Sequence, residues 1–320
     1  MKYTDSVISN PVRFWLLLIA LIPSVACSIV ILYYILSSRT RRCAIHNHFI
    51  ILLLCNNLTY ELIDISLFLN YYRLDTVVPA TKSLCLMWMF IDEALYTVST
   101  MIVAWASIER HIIIFHDRWL SNAKKRFLLH YTPYIFIISY IILFHFVVVV
   151  IPPCENTYDY TQEICGHPLC FHNSKVFGTW DSITSDVIPT LTIVIFSIGL
   201  LVRVVIKNHR MRRAIQWRKH RKIAIQLLFI SFLYVLLYIP IMCIELVQLC
   251  CVSEELNGPF EQYARFFSYY IIFLLPFVYL GSLIKSSWQL KILLPRWFRA
   301  TQVVEPMMMA TGPFTARNLN

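Results

Sequence analysis

"CLMWMFIDEALYTVSTMIVAWASIERH", residues 85–111, decides the fold. From about Leu84 to Ile108 the only charged residues are Asp92 and Glu93, and then Glu109, Arg110 and His111 arrive together. A run of that length crosses a hydrocarbon core of about 30 Å as a helix. Three ionisable side chains at its end put that end at an interface, and what they do there depends on what surrounds them.

The whole chain repeats the pattern. It is 58% hydrophobic and 14% charged, against about 25% charged in a soluble domain, so too few charges exist to cover a water-facing surface. Apolar stretches near 14–37, 45–71, 84–108, 128–151, 183–206, 223–250 and 262–284 are each long enough to span a membrane, and none alternates like a barrel strand. The fold class is therefore an all-α membrane protein, a seven-transmembrane helix bundle. Its expected organisation is an outer amino terminus (1–13), a membrane domain (14–284), a short amphipathic eighth helix (285–298, "KSSWQLKILLPRWF") and a cytoplasmic tail (299–320). The first span is too long for the core of a cleaved signal and is expected to remain as an anchor.

Charge fixes the orientation. With the odd-numbered loops and the tail inside, only Lys2, Arg13, Arg73, Lys82, Lys175 and Arg265 of the 28 Lys and Arg lie outside. That asymmetry predicts an outer amino terminus, and it reads the net charge of +10 as topology, with no nucleic-acid partner. Cys85, Cys154, Cys165 and Cys170 fall on the outer side, where oxidation is allowed. Four cysteines permit three pairings. Cys85–Cys170 with Cys154–Cys165 is favoured, and exchange of Cys165 with Cys170 stays open. Cys27, Cys55 and Cys243 read as packing residues buried in spans.

Seven spans, a Cys opening the third and an acid–Arg pair closing it resemble the rhodopsin-like family of G-protein-coupled receptors. Cys85 to Arg110 is a rise of roughly 37 Å on an ideal helix, the family's spacing between those landmarks. "ERH" (109–111) stands where that family has Asp-Arg-Tyr, and "LPFVY" (275–279) where it has Asn-Pro-x-x-Tyr; Pro189 and Pro240 sit at the fifth- and sixth-helix prolines. The resemblance implies a G-protein switch built from Glu109, Arg110, His111, Tyr238, Pro240, Pro276 and Tyr279, with heterotrimeric G protein as partner. The sequence also departs from the pattern. Asn57 replaces the second-helix Asp, Leu275 the seventh-helix Asn, and Tyr238 the sixth-helix Trp, so sodium regulation is not expected. His220 stands where many relatives carry Glu, so no carboxylate lock to Arg110 is expected from the sixth helix.

Asp92 corresponds to the carboxylate that grips the amine in aminergic receptors, and Tyr269 to the tyrosine that steadies it. An acid at that depth is expensive in lipid and marks a site. Glu93, Glu61, Asp64, Asp181, Asp186 and Glu245 lie near it in depth, and together they suggest a cationic ligand bound by Asp92, Glu93, Asp181, Glu245, Arg265 and Tyr269. Ile241 and Met242 follow Pro240 in place of an aromatic pair, which weakens cation–π binding of an amine. The long second outer loop (152–182), with Glu155, Asp159 and Glu163, resembles the hairpin of peptide receptors, so a basic or amidated peptide is the expected ligand and an amine the alternative. Arg265 is alternatively a partner for Asp92 or Glu61.

Other classes fare worse. A heptahelical hydrolase would need a metal site, and none of the ten His forms a His-x-x-x-His pair on a span. The expectation is no metal, no cofactor and no enzymatic activity. Retinal chemistry needs a seventh-helix Lys, and none lies between Lys222 and Lys285. A transporter would show inverted repeats with paired broken helices, and none is detectable.

Overall fold

The computed structural model describes residues 8–115, 123–152, 154–166, 169–174, 176–210, 226, 228–250 and 259–284. Every regular element among them is helical. Six helices are long and apolar enough to cross a membrane, and the expected sixth span appears as the shorter apolar helix Leu228–Leu237 followed by Ile239–Cys250. The expected amphipathic helix and tail lie outside the described residues.

The bundle is built inside out relative to a soluble protein. Trp15, Ile19, Tyr33, Phe136, Leu143 and Ile195 point outward on the first, fourth and fifth helices, while Ser24, Asn57, Glu61, Asp64, Glu109 and Arg110 are buried between helices. Lipid rewards that distribution, because tails solvate apolar side chains and leave polar groups only one another. Of the cysteines expected to be packing residues, Cys27 is buried but Cys55 and Cys243 face outward. The first helix (Asn10–Leu36) packs on the second (Ile45–Leu74), and the third (Lys82–Phe115) sits centrally against the second, fourth and fifth.

Proline stands two residues after each irregular turn of the spans except the one at Tyr269. The fourth span is π-helix over Phe127–Tyr131, α-helix over Thr132–His145 and π-helix again over Phe146–Val150. The fifth begins with Phe177–Asp181, widens into π-helix over Ser182–Val187 just before Pro189, and continues as Ile188–Arg210. The sixth helix is interrupted at Tyr238, two residues before Pro240, and the seventh at Tyr269, between Pro259–Ser268 and Tyr270–Ile284. A proline lacks the N–H that its helix needs one turn back, so local rewinding is cheap beside it.

Three expectations are corrected. The third helix does not stop at Glu109–His111 but runs on to Phe115, because apolar Ile112–Phe115 continue its pattern. The fifth helix starts at Phe177, so the second loop is shorter than 152–182. Gly178 makes this possible: a β-carbon there would lie 2.2 Å from the His172 carbonyl oxygen, so only glycine lets the helix start beneath the turn Cys170–Asn173.

The third correction concerns that loop, which is not a hairpin among the described residues. Ile164, Cys165 and Gly166 take positive φ (50°, 54° and 86°), which coils the chain where a strand would extend it. Glu163 is tied by Arg13 at 3.3 Å and by the Tyr72 hydroxyl at 2.5 Å. This tether carries Cys165 over the start of the third helix, and the bridges are Cys85–Cys165 and Cys154–Cys170. The favoured Cys85–Cys170 pairing is overturned in favour of its exchanged form. Asp159 stabilises the coil by accepting from the Thr161 hydroxyl (2.6 Å), the Thr161 N–H (3.0 Å) and Gln162 (2.8 Å). The Thr161 hydroxyl, then its N–H, hold this exposed carboxyl below its ordinary pKa.

Candidate functional site

At the end of the bundle that carries the disulfides, the second, third and seventh helices enclose an acidic, aromatic centre. Tyr60 donates its hydroxyl hydrogen bond to Asp92 Oδ1, and Tyr269, whose ring is 6.3 Å from that of Tyr60, borders the same carboxylate. Phe68 lies between Trp88 (5.3 Å) and Tyr269 (5.2 Å), closing the wall. One turn beyond Tyr60, Asp64 is wholly buried, with the Tyr60 hydroxyl and the Trp88 indole N–H as its neighbouring donors. Glu61 accepts from Ser24 through one oxygen only.

Positive charge near this centre is already engaged. Arg265 pairs with Glu261 at 3.2 Å while still acting on Asp92, and Arg13 pairs with Glu163. The expected alternative of an Arg265–Glu61 bridge is not formed. The enclosure therefore holds more carboxyl groups than cations.

A second group adjoins it between the third, fourth and fifth helices. Ligand-type atoms of Glu93, His145 and Asp181 all lie within 4.8 Å of one another. His145 and Asp181 are 1% and 4% exposed. His145 Nδ1 donates to the Ile141 carbonyl at 3.0 Å, the Ser185 hydroxyl donates to Asp181 Oδ1 at 2.7 Å, and His172 of the loop meets Glu93 at 3.3 Å. Further along, Tyr238 donates to Asp186 and so links the fifth and sixth helices.

At the opposite, basic end, the opening triplet divides its tasks. Glu109 is gripped from the fourth helix by His130 and by the Tyr134 hydroxyl at 2.7 Å. His130 Nε2 continues to His48 Nδ1 at 2.8 Å, and His48 Nε2 to the Arg42 carbonyl at 3.0 Å. That carbonyl can only accept, so the run of bonds fixes each proton: His48 Nε2–H to Arg42, His130 Nε2–H to His48, and one proton shared between His130 and Glu109. Arg110, only 2% exposed, lies over the Phe49 ring at 4.5 Å, with the Glu109 carboxyl beside it and Tyr134 and Tyr279 nearby. His111 bonds the Phe196 carbonyl of the fifth helix at 2.6 Å.

The chain matches the family described as 7 transmembrane receptor (rhodopsin family) over residues 28–279. It belongs to that family. No curated protein matches it.

In this rhodopsin-family receptor the sequence-expected residues divide unevenly between the two ends. Asp92 and Tyr269 meet as expected. Glu93 and Asp181 come together beside His145 and not around Asp92. Glu245 has its side chain outside the described residues. At the basic end Glu109, Arg110 and Tyr279 converge, Pro240 flanks the break at Tyr238, and Pro276 lies inside the helix Tyr270–Ile284. The segment "YTPY" (131–134) contributes Tyr134, which is 3% exposed and bonded to Glu109; a helical period from His130 places it on the same inward face.

Sequence reasoning also missed Tyr60 and the His48–His130 pair, and it named Asp64 only as an acid near Asp92 in depth. The signal for the pair is that both histidines fall at the basic-loop ends of their spans. Nothing in either helix alone reveals that they touch.

Proposed function

We propose that the chain is a plasma-membrane G-protein-coupled receptor, with its amino terminus outside, that converts binding of a cationic extracellular ligand into activation of a heterotrimeric G protein. One observation carries the ligand class: buried carboxylates of Asp92, Asp64 and Glu61 outnumber the nearby cations, Arg13, which pairs with Glu163, and Arg265, which pairs with Glu261 and also acts on Asp92. A guanidinium or ammonium group entering between Tyr60, Trp88 and Tyr269 gains charge pairing with Asp92 and an aromatic wall.

A basic or amidated peptide fits better than a small amine. Ile241 and Met242 line the sixth helix where an amine would need aromatic rings, and Glu155, exposed on the second loop, offers a contact for a peptide body. Glu93, Asp181, Glu245 and Arg265 are the further contacts proposed for it. At the basic end, Arg110 is held closed by Phe49 and by the potential of Glu109, and opening of the sixth helix about Pro240 presents its guanidinium to the G protein. His111, Tyr238, Pro276 and Tyr279 complete that switch. The protein acts as a receptor, not an enzyme.

The test is a G-protein reporter screened with amidated basic peptides and with amines, on the wild type, Asp92→Asn and Arg110→Ala. The reading expects a peptide response whose potency drops at least about tenfold in Asp92→Asn, one lost charge-assisted contact being worth 1.5–3 kcal/mol. Arg110→Ala should abolish signalling without abolishing binding. A response confined to amines refutes the peptide assignment, and unchanged signalling in Arg110→Ala refutes the switch.

A further inference from the structure

We propose that Glu93, His145 and Asp181 form a binding site for a divalent transition metal, Zn2+, that clamps the third, fourth and fifth helices beneath the disulfide-bonded loop. The three side chains come from three different helices, yet their donor atoms converge within 4.8 Å. The independent indication is the state of His145. Its Nδ1 donates to the Ile141 carbonyl, which fixes the proton there and leaves the lone pair on Nε2. That Nε2 is buried and has no hydrogen-bond partner, while the nearest acid, Asp181 Oδ1, stands 3.9 Å away. A buried imidazole acceptor aimed at a carboxylate too distant to bond is costly on its own, and a cation between the two removes that cost.

Geometry and donor chemistry select the ion. Tetrahedral ligands at about 2.0–2.2 Å from Zn2+ stand about 3.3–3.6 Å from one another, so the 3.9 Å His145–Asp181 separation closes by a few tenths of an ångström. Glu93, whose donor oxygen already lies within 4.8 Å of the other two, completes the third contact by rotation about its side-chain torsions. One imidazole nitrogen and two carboxylates suit zinc. Calcium demands six to eight oxygens, and magnesium prefers an all-oxygen shell that keeps its waters.

The surrounding bonds resemble those that orient metal ligands elsewhere. Ile141 holds His145, the Ser185 hydroxyl holds Asp181 at 2.7 Å, and His172 holds Glu93 at 3.3 Å. Because His172 lies in the turn that begins at Cys170, the ion also couples the loop to the helices through Glu93. Three protein donors leave a fourth position for water or for a donor atom of the receptor's ligand.

The experiment uses the full-length receptor in detergent micelles, with free thiols blocked by N-ethylmaleimide so that cysteine cannot bind the probe. Zn2+ is titrated against a chromogenic chelator, thermal unfolding is followed with Zn2+ or Mg2+ present, and Co2+ is added as a spectroscopic substitute. The proposal expects one Zn2+ per chain, a raised Tm with Zn2+ but not Mg2+, and visible Co2+ bands of tetrahedral intensity. His145→Ala should weaken Zn2+ binding by more than about tenfold, the lower end of what even loss of an orienting partner costs. Asp181→Asn and the partly exposed Glu93→Gln provide variants that keep side-chain shape if His145→Ala does not fold. No Zn2+ bound by the wild type, or undiminished binding in both Glu93→Gln and Asp181→Asn, overturns the site.

Discussion

Replacing Tyr134 by Phe removes one hydroxyl and little else, and it tests what holds the basic end closed. The hydroxyl donates to Glu109 Oε2 at 2.7 Å, and Tyr134 and Glu109 are 3% and 2% exposed, so no water replaces the lost donor. A hydrogen bond to a charged acceptor contributes about 1.5–3 kcal/mol. If opening of the bundle hydrates Glu109, that amount is lost from the closed arrangement alone. The open-to-closed ratio then rises roughly ten- to hundredfold, at about 1.4 kcal/mol per factor of ten. From a minor open population of about 0.1–10%, ligand-independent signalling should rise several-fold or reach saturation. The assay is basal G-protein reporter output normalised to surface expression, with thermal unfolding measured in parallel. Tyr134→Phe should signal more and melt earlier. Lower stability with unchanged basal output would show that the Glu109–Tyr134 bond is kept on opening, and the reasoning would be refuted.

Three further outcomes follow from the loop and its supports. Gly178→Ala places a carbon 2.2 Å from the His172 carbonyl; overpacking of this kind costs about 1–3 kcal/mol, so thermal stability should fall, whereas an unchanged Tm would mean the fifth helix does not start where described. Peptide mapping without reduction should recover Cys85 linked to Cys165 and Cys154 linked to Cys170, and a Cys85–Cys170 peptide would contradict the tether through Glu163. Asp159, whose pKa is lowered chiefly by the Thr161 hydroxyl, contributes to loop order fully above the ordinary carboxylate range and loses that contribution as pH falls through its depressed value. Thr161→Val should move the Asp159 titration upward in NMR of carboxyl-labelled protein; no movement would remove the hydroxyl as the cause.

The spans were legible in the sequence because length and apolar content alone decide what crosses a bilayer, and the polar residues within them had nowhere to go but inward. Asp92 and Arg110 could be singled out for the same reason: a charge at that depth has to be accounted for. What the sequence hid was lateral. Glu109 finds its partners on the fourth helix, at His130 and Tyr134, and no periodicity within the third helix names them.

The Cys85 partner depends on Glu163 being held by Arg13 and Tyr72, residues from two other helices, and on three successive left-handed residues that propensity would not place at Ile164. The Glu93–His145–Asp181 group escaped because motif spacing looks along one helix and these donors sit on three. The fifth-helix boundary moved for a single close contact at Gly178. In each case the missing information was which helix faces are neighbours, a property of packing and not of any one segment.

The account rests on a basic end that opens between the third and sixth helices. Spin labels at Ile113 and Phe229, in a receptor whose free cysteines have been replaced, allow that separation to be read by pulsed electron-electron resonance, with and without nucleotide-free G protein. The account predicts a second, longer distance population that grows with G protein and is already enriched in Tyr134→Phe. A single distance, identical in every condition while the G protein is shown to be bound, would contradict it.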